Sequence, residues 1–239
     1  MTFTLKLLND FYSQSRNPDA QSQLIDVINI RKDGFGPDYP PGHLPIDAFD
    51  FVGRHFILYK TVESREIPVA TWRHTSAKQA ENYRITPPFL CTVGEPSLLR
   101  HKHAIEERLA LDKQKSKDTV YMGAFSISKP WRQEAGVSEI AKELGIATMI
   151  QDINHHDTRY LSGATLRFKI NILLEQAGFE RIQDHCGELP EFKKTSACNE
   201  TIALYELITP SFWAIECLEK YESAISGILE SNTPMAIAA

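Results

Sequence analysis

The chain has 239 residues, 42% of them hydrophobic and 24% charged, with a formal net charge of −5. That balance suits a soluble globular protein of one large domain or two small ones, and it gives no support to nucleic-acid binding, which usually needs a basic face, while leaving room for a local basic patch. No apolar run approaches the roughly 20 residues of a membrane span, and the first 14 residues lack the sustained apolar core and small-residue cleavage site of a secretory signal.

In chain order, residues 21–32 predict a helix, because Leu24, Val27, Ile28 and Arg31 share one face. Residues 34–43 hold Gly34, Gly36, Pro37, Pro40, Pro41 and Gly42 and read as a loop. Residues 55–62 and 69–75 are rich in β-branched and aromatic side chains. Polar Glu63-Ser64-Arg65-Glu66 lies between them, so they predict a hairpin. Residues 81–91 read as an extended course interrupted by Pro87-Pro88, and residues 98–115 as a charged surface helix. A strand follows at residues 119–128. Val137, Ile140, Ala141 and Leu144 then form the stripe of an amphipathic helix that Gly145 is placed to end, before a short buried strand at 146–153. Leu166, Ile170, Leu173, Leu174 and Ala177 form a second helical stripe capped by Gly178, with the last strands at 179–182 and 201–208. Thr209-Pro210 opens a final helix with Trp213, Cys217, Tyr221, Ala224 and Ile228 on one face, and the tail 231–239 is expected to be mobile. No internal repeat occurs. The order predicts an α/β (α+β) fold with a mixed central sheet flanked by helices. Residues 1–208 would form the domain, and 209–239 a C-terminal helix and tail packed on it.

The turn between strand 119–128 and its helix reads Gln133-Glu134-Ala135-Gly136-Val137-Ser138. A small-residue loop opening a helix after a strand presents free backbone N–H groups and the positive end of the helix dipole, which suits an anionic group. It matches neither the dinucleotide-binding nor the P-loop glycine pattern, so another phosphate-bearing ligand is implied. A plain strand–helix turn has the same local pattern. Arg132 beside it is either a phosphate partner or an ordinary exposed arginine.

The four cysteines, Cys91, Cys186, Cys198 and Cys217, form no Cys-x-x-Cys pair. This disfavours a zinc ribbon and fits reduced thiols in a cytoplasmic protein. Cys91 is either a nucleophile or a small core residue. His101-x-His103 and His155-His156 do not share a helical face, so they read as structural rather than as metal ligands. The segment around Ser126 and Ser128 has no Gly-x-Ser-x-Gly elbow, which excludes the common serine-hydrolase arrangement.

Gln133-x-x-Gly136-x-Ser138, followed later by Leu173-Leu174-Glu175-Gln176-Ala177-Gly178-Phe179-Glu180, resembles the GCN5-related N-acetyltransferase superfamily. Its loop binds the pyrophosphate of coenzyme A or the phosphopantetheine of an acyl carrier. The Tyr often found where Leu174 stands is missing here. Arg31-x-x-x-Phe35, Asp47-x-x-Asp50 and Arg73 are similar to an early Arg/Phe pair, an acidic pair and a hairpin Arg of one branch, the autoinducer synthases and long-chain N-acyl amino acid synthases. The homoserine-lactone makers carry a Glu and then Arg-Phe on the central strand. This chain has Tyr121-Met122-Gly123-Ala124-Phe125, which argues against S-adenosylmethionine as substrate.

The resemblance implies transfer of an acyl group from acyl-CoA or an acyl carrier protein to a primary amine, an amino acid among them, without a metal. Arg132, Gln133, Ala135, Gly136, Val137 and Ser138 would hold the donor's phosphates. Arg31, Phe35, Asp47, Asp50 and Arg73 would form the acceptor side, although Asp47 and Asp50 also suit turn capping, and both arginines a buried ionic network. Backbone N–H groups near Phe125 and Ile127 would stabilise the oxyanion. Glu66, His74, Asp152 and His155 are the candidate bases, none with a spacing signature. Phe56, Leu58, Tyr59 and Trp72 either line an acyl channel or are core. The rival expectation is a non-catalytic fold that binds a thioester or a protein partner.

Overall fold

The computed structural model describes residues 2–35, 44–166, 169–194, 200–231 and 234–238. Alternation of apolar residues at Phe3, Leu5 and Leu7 makes the first element a strand, β1 (Thr2–Asn9), which the sequence reading left unassigned. Helices α1 (Phe11–Gln14) and α2 (Pro18–Phe35) follow, then the hairpin β2 (Arg54–Val62) and β3 (Arg65–Ser76). The hairpin turn is only Glu63-Ser64, both with positive φ, so Arg65 and Glu66 belong to β3. The stretch expected to be extended near 81–91 holds the end of one short helix and most of another instead, α3 (Ala77–Asn82) and α4 (Pro88–Thr92), joined by residues 83–87. Ser76 caps α3 through the Gln79 N–H, and a proline begins α4. Next come α5 (Leu99–Gln114), β4 (Asp118–Ile127), α6 (Val137–His155), β5 (Thr158–Thr165) and α7 (Ile170–Ala177). The small strands β6 (Phe179–Arg181), β7 (Gln183–Asp184), β8 (Gly187–Glu188) and β9 (Phe192–Lys194) precede β10 (Glu200–Leu207), α8 (Phe212–Ser231) and β11 (Met235–Ala238).

The main sheet runs β11-β1-β2-β3-β4-β5-β10-β6, with β9 also on β10. Its pairs are antiparallel except β4 with β5. One face packs on α6, α7 and α8 through Phe56, Trp72, Val120 and Met122; the other packs on α2 through Ile57 and Tyr59, and on α4 and α5 through Leu161 and Leu204. Phe56, Leu58 and Trp72 are therefore core, as is Tyr59 on the opposite face.

Other expectations are corrected as well. Gly145 does not end a helix and 146–153 is not a strand, because α6 continues to His155. From Leu144 to Asp152 every residue is buried, since α8 covers the side away from the sheet. Gln151 Nε2 reaches Ser226 Oγ at 2.8 Å, and Tyr221 Oη donates to Glu143 at 2.7 Å. A helix buried all round loses the polar stripe that separates it from a buried strand. The parallel partner of β4 is β5 at 158–165. The final helix begins at Phe212, where Ser211 Oγ accepts from the Ala214 N–H at 3.1 Å, and the tail residues 235–238 pair with β1 as an edge strand. Gly178 caps α7 as expected, at φ 99°.

Candidate active site

Strands β4 and β5 pair only from Asp118–Thr158 to Met122–Ser162. Beyond that point a register shift between β3 and β4, with Ala124 at φ 54°, bends β4 away while β5 stays on β10. From Gly123 to Ile127, β4 is bonded to β3 alone and its other edge is open. Ser128 N–H donates to Val69 O on β3 at 2.9 Å, so strand alternation turns the Ile127 N–H and C=O to the open side. Consistently, the Ile127 carbonyl accepts from Arg132 Nε at 3.0 Å. The result is a cleft of about 370 Å³ between the parted strands. Its apolar wall comes from Ile146 of α6 and from Ile170, Leu173 and Leu174 of α7. Among the described residues, no carboxylate and no imidazole lines it.

The cleft opens at the N-terminus of α6. Gly136 takes the cap position at φ 83°, where a side chain would be strained, and no side chain caps this end. Val137 N–H donates to Glu134 O and Ile140 N–H to Gly136 O, which leaves the first-turn N–H groups of Ser138 and Glu139 directed outward. Arg132, Ser138 and Lys142 stand at the rim. Arg132 is partly committed, since its Nη2 donates to Gly34 O at 2.6 Å. Gln133 and Ala135 are exposed, Val137 is core, and Glu134 is paired with Lys60. Lys142 was missed in the sequence. The signal available was the spacing Ser138, Lys142, Gly145, which places all three on one helical face.

On the opposite face of the sheet, β3, α2 and the turn before β2 converge on an ionic cluster. Asp50 is fully buried and accepts from both Arg31 Nη1 and Arg73 Nη1. Arg73 also donates to Asp47 at 2.7 and 3.0 Å. The two aspartates form a reciprocal cap, with Asp50 Oδ2 accepting from Asp47 N–H at 2.8 Å and Asp47 Oδ1 from Phe49 N–H at 2.9 Å. Burial alone would raise the Asp50 carboxyl, but Arg31 and Arg73 hold it well below the usual carboxylate range. Burial and then the Arg31 charge push His55, beside them, down to about 3, so it is neutral. Asp47 alone of the two acids reaches solvent, with its side chain 51% exposed. Four of the five residues expected on the acceptor side are thus in contact. Phe35 ends α2, and its side chain lies outside the described residues, as do residues 36–43 of the expected loop.

Of the candidate bases, His74 and Asp152 meet behind β4 rather than in the cleft. His74 Nδ1 lies 3.2 Å from Asp152 Oδ2, Tyr160 Oη donates to the same oxygen at 2.5 Å, and Arg54 grips Asp152 from the outer side. Burial lowers the His74 pKa despite the carboxylate, and its Nε2 is buried without a partner. Glu66 sits at the hairpin end on β3, accepting from Lys6 at 2.6 Å, and does not line the cleft. His155 is exposed at the end of α6 against Gln151. Phe125 packs its ring between Trp72 and Gly145, where a Cβ would touch it at 3.5 Å. His101 bonds to Pro190 O at 2.8 Å. Among the described residues Asp184, His185 and Cys186 bring metal-capable atoms within 4.8 Å of one another. Arg100 already holds both Asp184 oxygens, at 2.6 and 2.7 Å. No helix among the described residues is long and apolar enough to cross a membrane.

Neither a protein-family model nor a curated protein matches the sequence. Solved structures do match its fold. The AHL synthase LasI aligns with a TM-score of 0.54 at 14% identity, over 90% of this chain and 94% of LasI. FeeM, an N-acyl amino acid synthase from uncultured soil microbes, aligns at 0.51 and 14%, over 86% and 90%. The CoA-dependent acyl-homoserine lactone synthase MesI aligns at 0.51 and 14%, over 92% and 95%. The chain therefore shares its fold with these acyl-homoserine lactone and N-acyl amino acid synthases.

Proposed function

We propose that the protein is an N-acyltransferase that moves an acyl group from a phosphopantetheine thioester, on coenzyme A or an acyl carrier protein, to a primary amine. The observation that carries this is the coincidence of two openings. The gap between β4 and β5 begins where the uncapped end of α6 presents Ser138 and Glu139 N–H groups, with Arg132 and Lys142 beside them. A phosphate at that end would be met by helix N–H groups and two cations. From there the apolar gap would take the pantetheine arm and carry the thioester along the open edge of β4. The Ile127 N–H, and that of Phe125 near the bulge, would then face the carbonyl oxygen as it gains charge. The names of FeeM and MesI, an N-acyl amino acid synthase and a CoA-dependent synthase, support the same class of reaction.

The acceptor would approach from the α2 face, where Asp47 offers the exposed carboxylate for its ammonium group. Arg31, Asp50, Arg73 and His55 hold that carboxylate in place. With no carboxylate or imidazole among the described residues that line the cleft, the amine attacks as its neutral fraction, its proton leaves to water and the pantetheine thiolate departs. A protein working on such donors belongs in the cytoplasm, where they are made.

The lack of a carboxylate or imidazole among the described lining residues favours one other reading, a fold that binds a thioester without turning it over, and Leu174, buried where the superfamily often carries Tyr, agrees with it. Extracts of cells with and without the expressed protein, compared by mass spectrometry, separate the two. New N-acyl amines support transfer. Copurifying coenzyme A or phosphopantetheine without such products supports binding alone.

A further inference from the structure

The throat of the cleft, where β4 and β5 part, is occupied from its far side. Tyr121 lies one residue before Met122, the last β4 residue paired with β5. Its ring turns to the face covered by α4 and α5, where it meets Phe89 with ring centroids 6.2 Å apart. Two cleft-lining glycines make room for it. A Cβ on Gly123 would lie 2.5 Å from Tyr121 Cε1, and one on Gly163 would lie 2.8 Å from the hydroxyl oxygen. Neither glycine has a positive φ, so space rather than backbone geometry keeps side chains out of both positions.

The ring is braced at its tip as well. The Gly163 N–H and the Thr92 hydroxyl lie close enough to the Tyr121 oxygen to act on it, and Thr92 Oγ1 donates to Pro88 O at 2.9 Å. A tyrosine packed against Phe89 and over two glycines does not swing aside as an exposed one does. Arg73 of the cluster stands opposite Gly123 in the β3–β4 pairing, and the Tyr121 ring lies over Gly123 towards Gly163 of β5. Tyr121 thus stands between the ionic cluster, with its one exposed carboxylate, and the gap through which a thioester would be reached.

We infer that Tyr121 is the acceptor filter of this protein: its ring, held between Gly123 and Gly163, limits the bulk of the amine that can bring its nitrogen to the thioester carbonyl. The inference rests on the acyltransferase reading and narrows its substrate class. Primary amines with little bulk on the carbon that bears the nitrogen pass, and branched or aromatic ones are turned away. The ring acts as a wall, so the hydroxyl braces it and takes no proton from the substrate.

The test uses the full chain, one acyl-CoA donor, and glycine, alanine, valine and phenylalanine as acceptors, with amide formation read by mass spectrometry. Tyr121→Phe keeps the ring and is expected to keep the wild-type order of acceptors. Tyr121→Ala is expected to raise kcat/KM for phenylalanine relative to glycine by about tenfold or more, the scale on which apolar pockets discriminate, with the KM for donor unchanged. Tyr121→Leu replaces it if the alanine variant melts early. An unchanged phenylalanine-to-glycine ratio in a folded Ala or Leu variant overturns the filter, and so does a reordered series in Tyr121→Phe. Calorimetric titration of the same four amines reads the filter without turnover. If wild-type protein binds glycine and rejects phenylalanine but forms no amide, the filter stands and the acyltransferase reading falls. If it binds all four equally, or none, the filter falls.

Discussion

Replacing Asp50 by Asn should cost about 3–5 kcal/mol of stability at neutral pH. Asp50 is fully buried and its carboxylate accepts from Arg31, from Arg73 and from the Asp47 N–H. Arg73 keeps Asp47 when the charge is removed, but among the described residues Arg31 has no other carboxylate as a hydrogen-bond partner. The cost is therefore that of a buried guanidinium left uncompensated, larger than the 1.5–3 kcal/mol or so of a single charge-assisted hydrogen bond. The effect is pH-dependent in a defined direction. Asp50 has a folded-state pKa depressed below its unfolded value near 3.9, so its contribution is complete above that value and is lost as pH falls through the folded pKa. Urea unfolding of wild type and Asp50→Asn at pH 7 and at steps below pH 4 measures it. The gap between the two proteins should be full at pH 7 and shrink once wild-type Asp50 protonates. A loss below about 1 kcal/mol at pH 7, outside the range for breaking a buried pair, refutes the argument that Arg31 depends on this carboxylate. So does a gap that stays constant into strong acid.

Lys142→Ala should weaken coenzyme A or acyl-CoA binding about tenfold, the equivalent of roughly 1.4 kcal/mol, and reduce its salt dependence. Calorimetry at two ionic strengths checks this, and unchanged affinity removes Lys142 from the phosphate site. Gly145→Ala should be tolerated, because a Cβ there meets the Phe125 ring at ordinary contact distance, whereas Gly145→Leu should fill the cleft wall and abolish donor binding while the protein still folds. Retained binding in a folded Leu variant would place the donor elsewhere. Burial lowers the pKa of His55, to about 3, and also that of His74. A depressed imidazole takes up its proton on unfolding, so stability should fall as pH drops below about 6.5, by up to about 1.4 kcal/mol per pH unit for His55, with His74 adding in the same direction. A flat profile of urea midpoints between pH 7 and 5 contradicts it. Finally, kcat/KM for the acceptor should rise with pH along the amine's own deprotonation, since no carboxylate or imidazole among the described residues lines the cleft. An additional titration near neutrality would reveal a base that this geometry lacks.

Helix α6, whose start is the proposed phosphate site, was legible where one of its faces meets water. Glu139 and Lys142 are exposed opposite Val137, Ile140, Ala141 and Leu144, so the periodicity shows. It vanished from Leu144 onward, where α8 removes the solvent face, and with it the parallel strand that frames the cleft was misplaced. The glycines Gly136 and Gly178 were readable because their backbones are left-handed. Gly123 and Gly163 were not, because their reason is a tyrosine ring from the same face of the sheet. The members of the Arg31–Asp50–Arg73 cluster lie 19 and 23 residues from one another. No local pattern records contacts of that span, and only the resemblance grouped those residues. Lys142 escaped for a different reason: a lysine on the polar face of a helix looks the same whether it meets water or phosphate.

The most direct measurement incubates the purified protein with an acyl-CoA carrying a labelled acyl group, and in parallel with the same acyl group on an acyl carrier protein. Each mixture contains the common amino acids, and label is followed by mass spectrometry. The proposed function predicts that label moves from the thioester into an amide, and that Gly145→Leu stops the transfer while Gly145→Ala permits it. Label remaining wholly on both thioesters, with folded protein binding them, would contradict transfer and leave a protein that only holds its thioester.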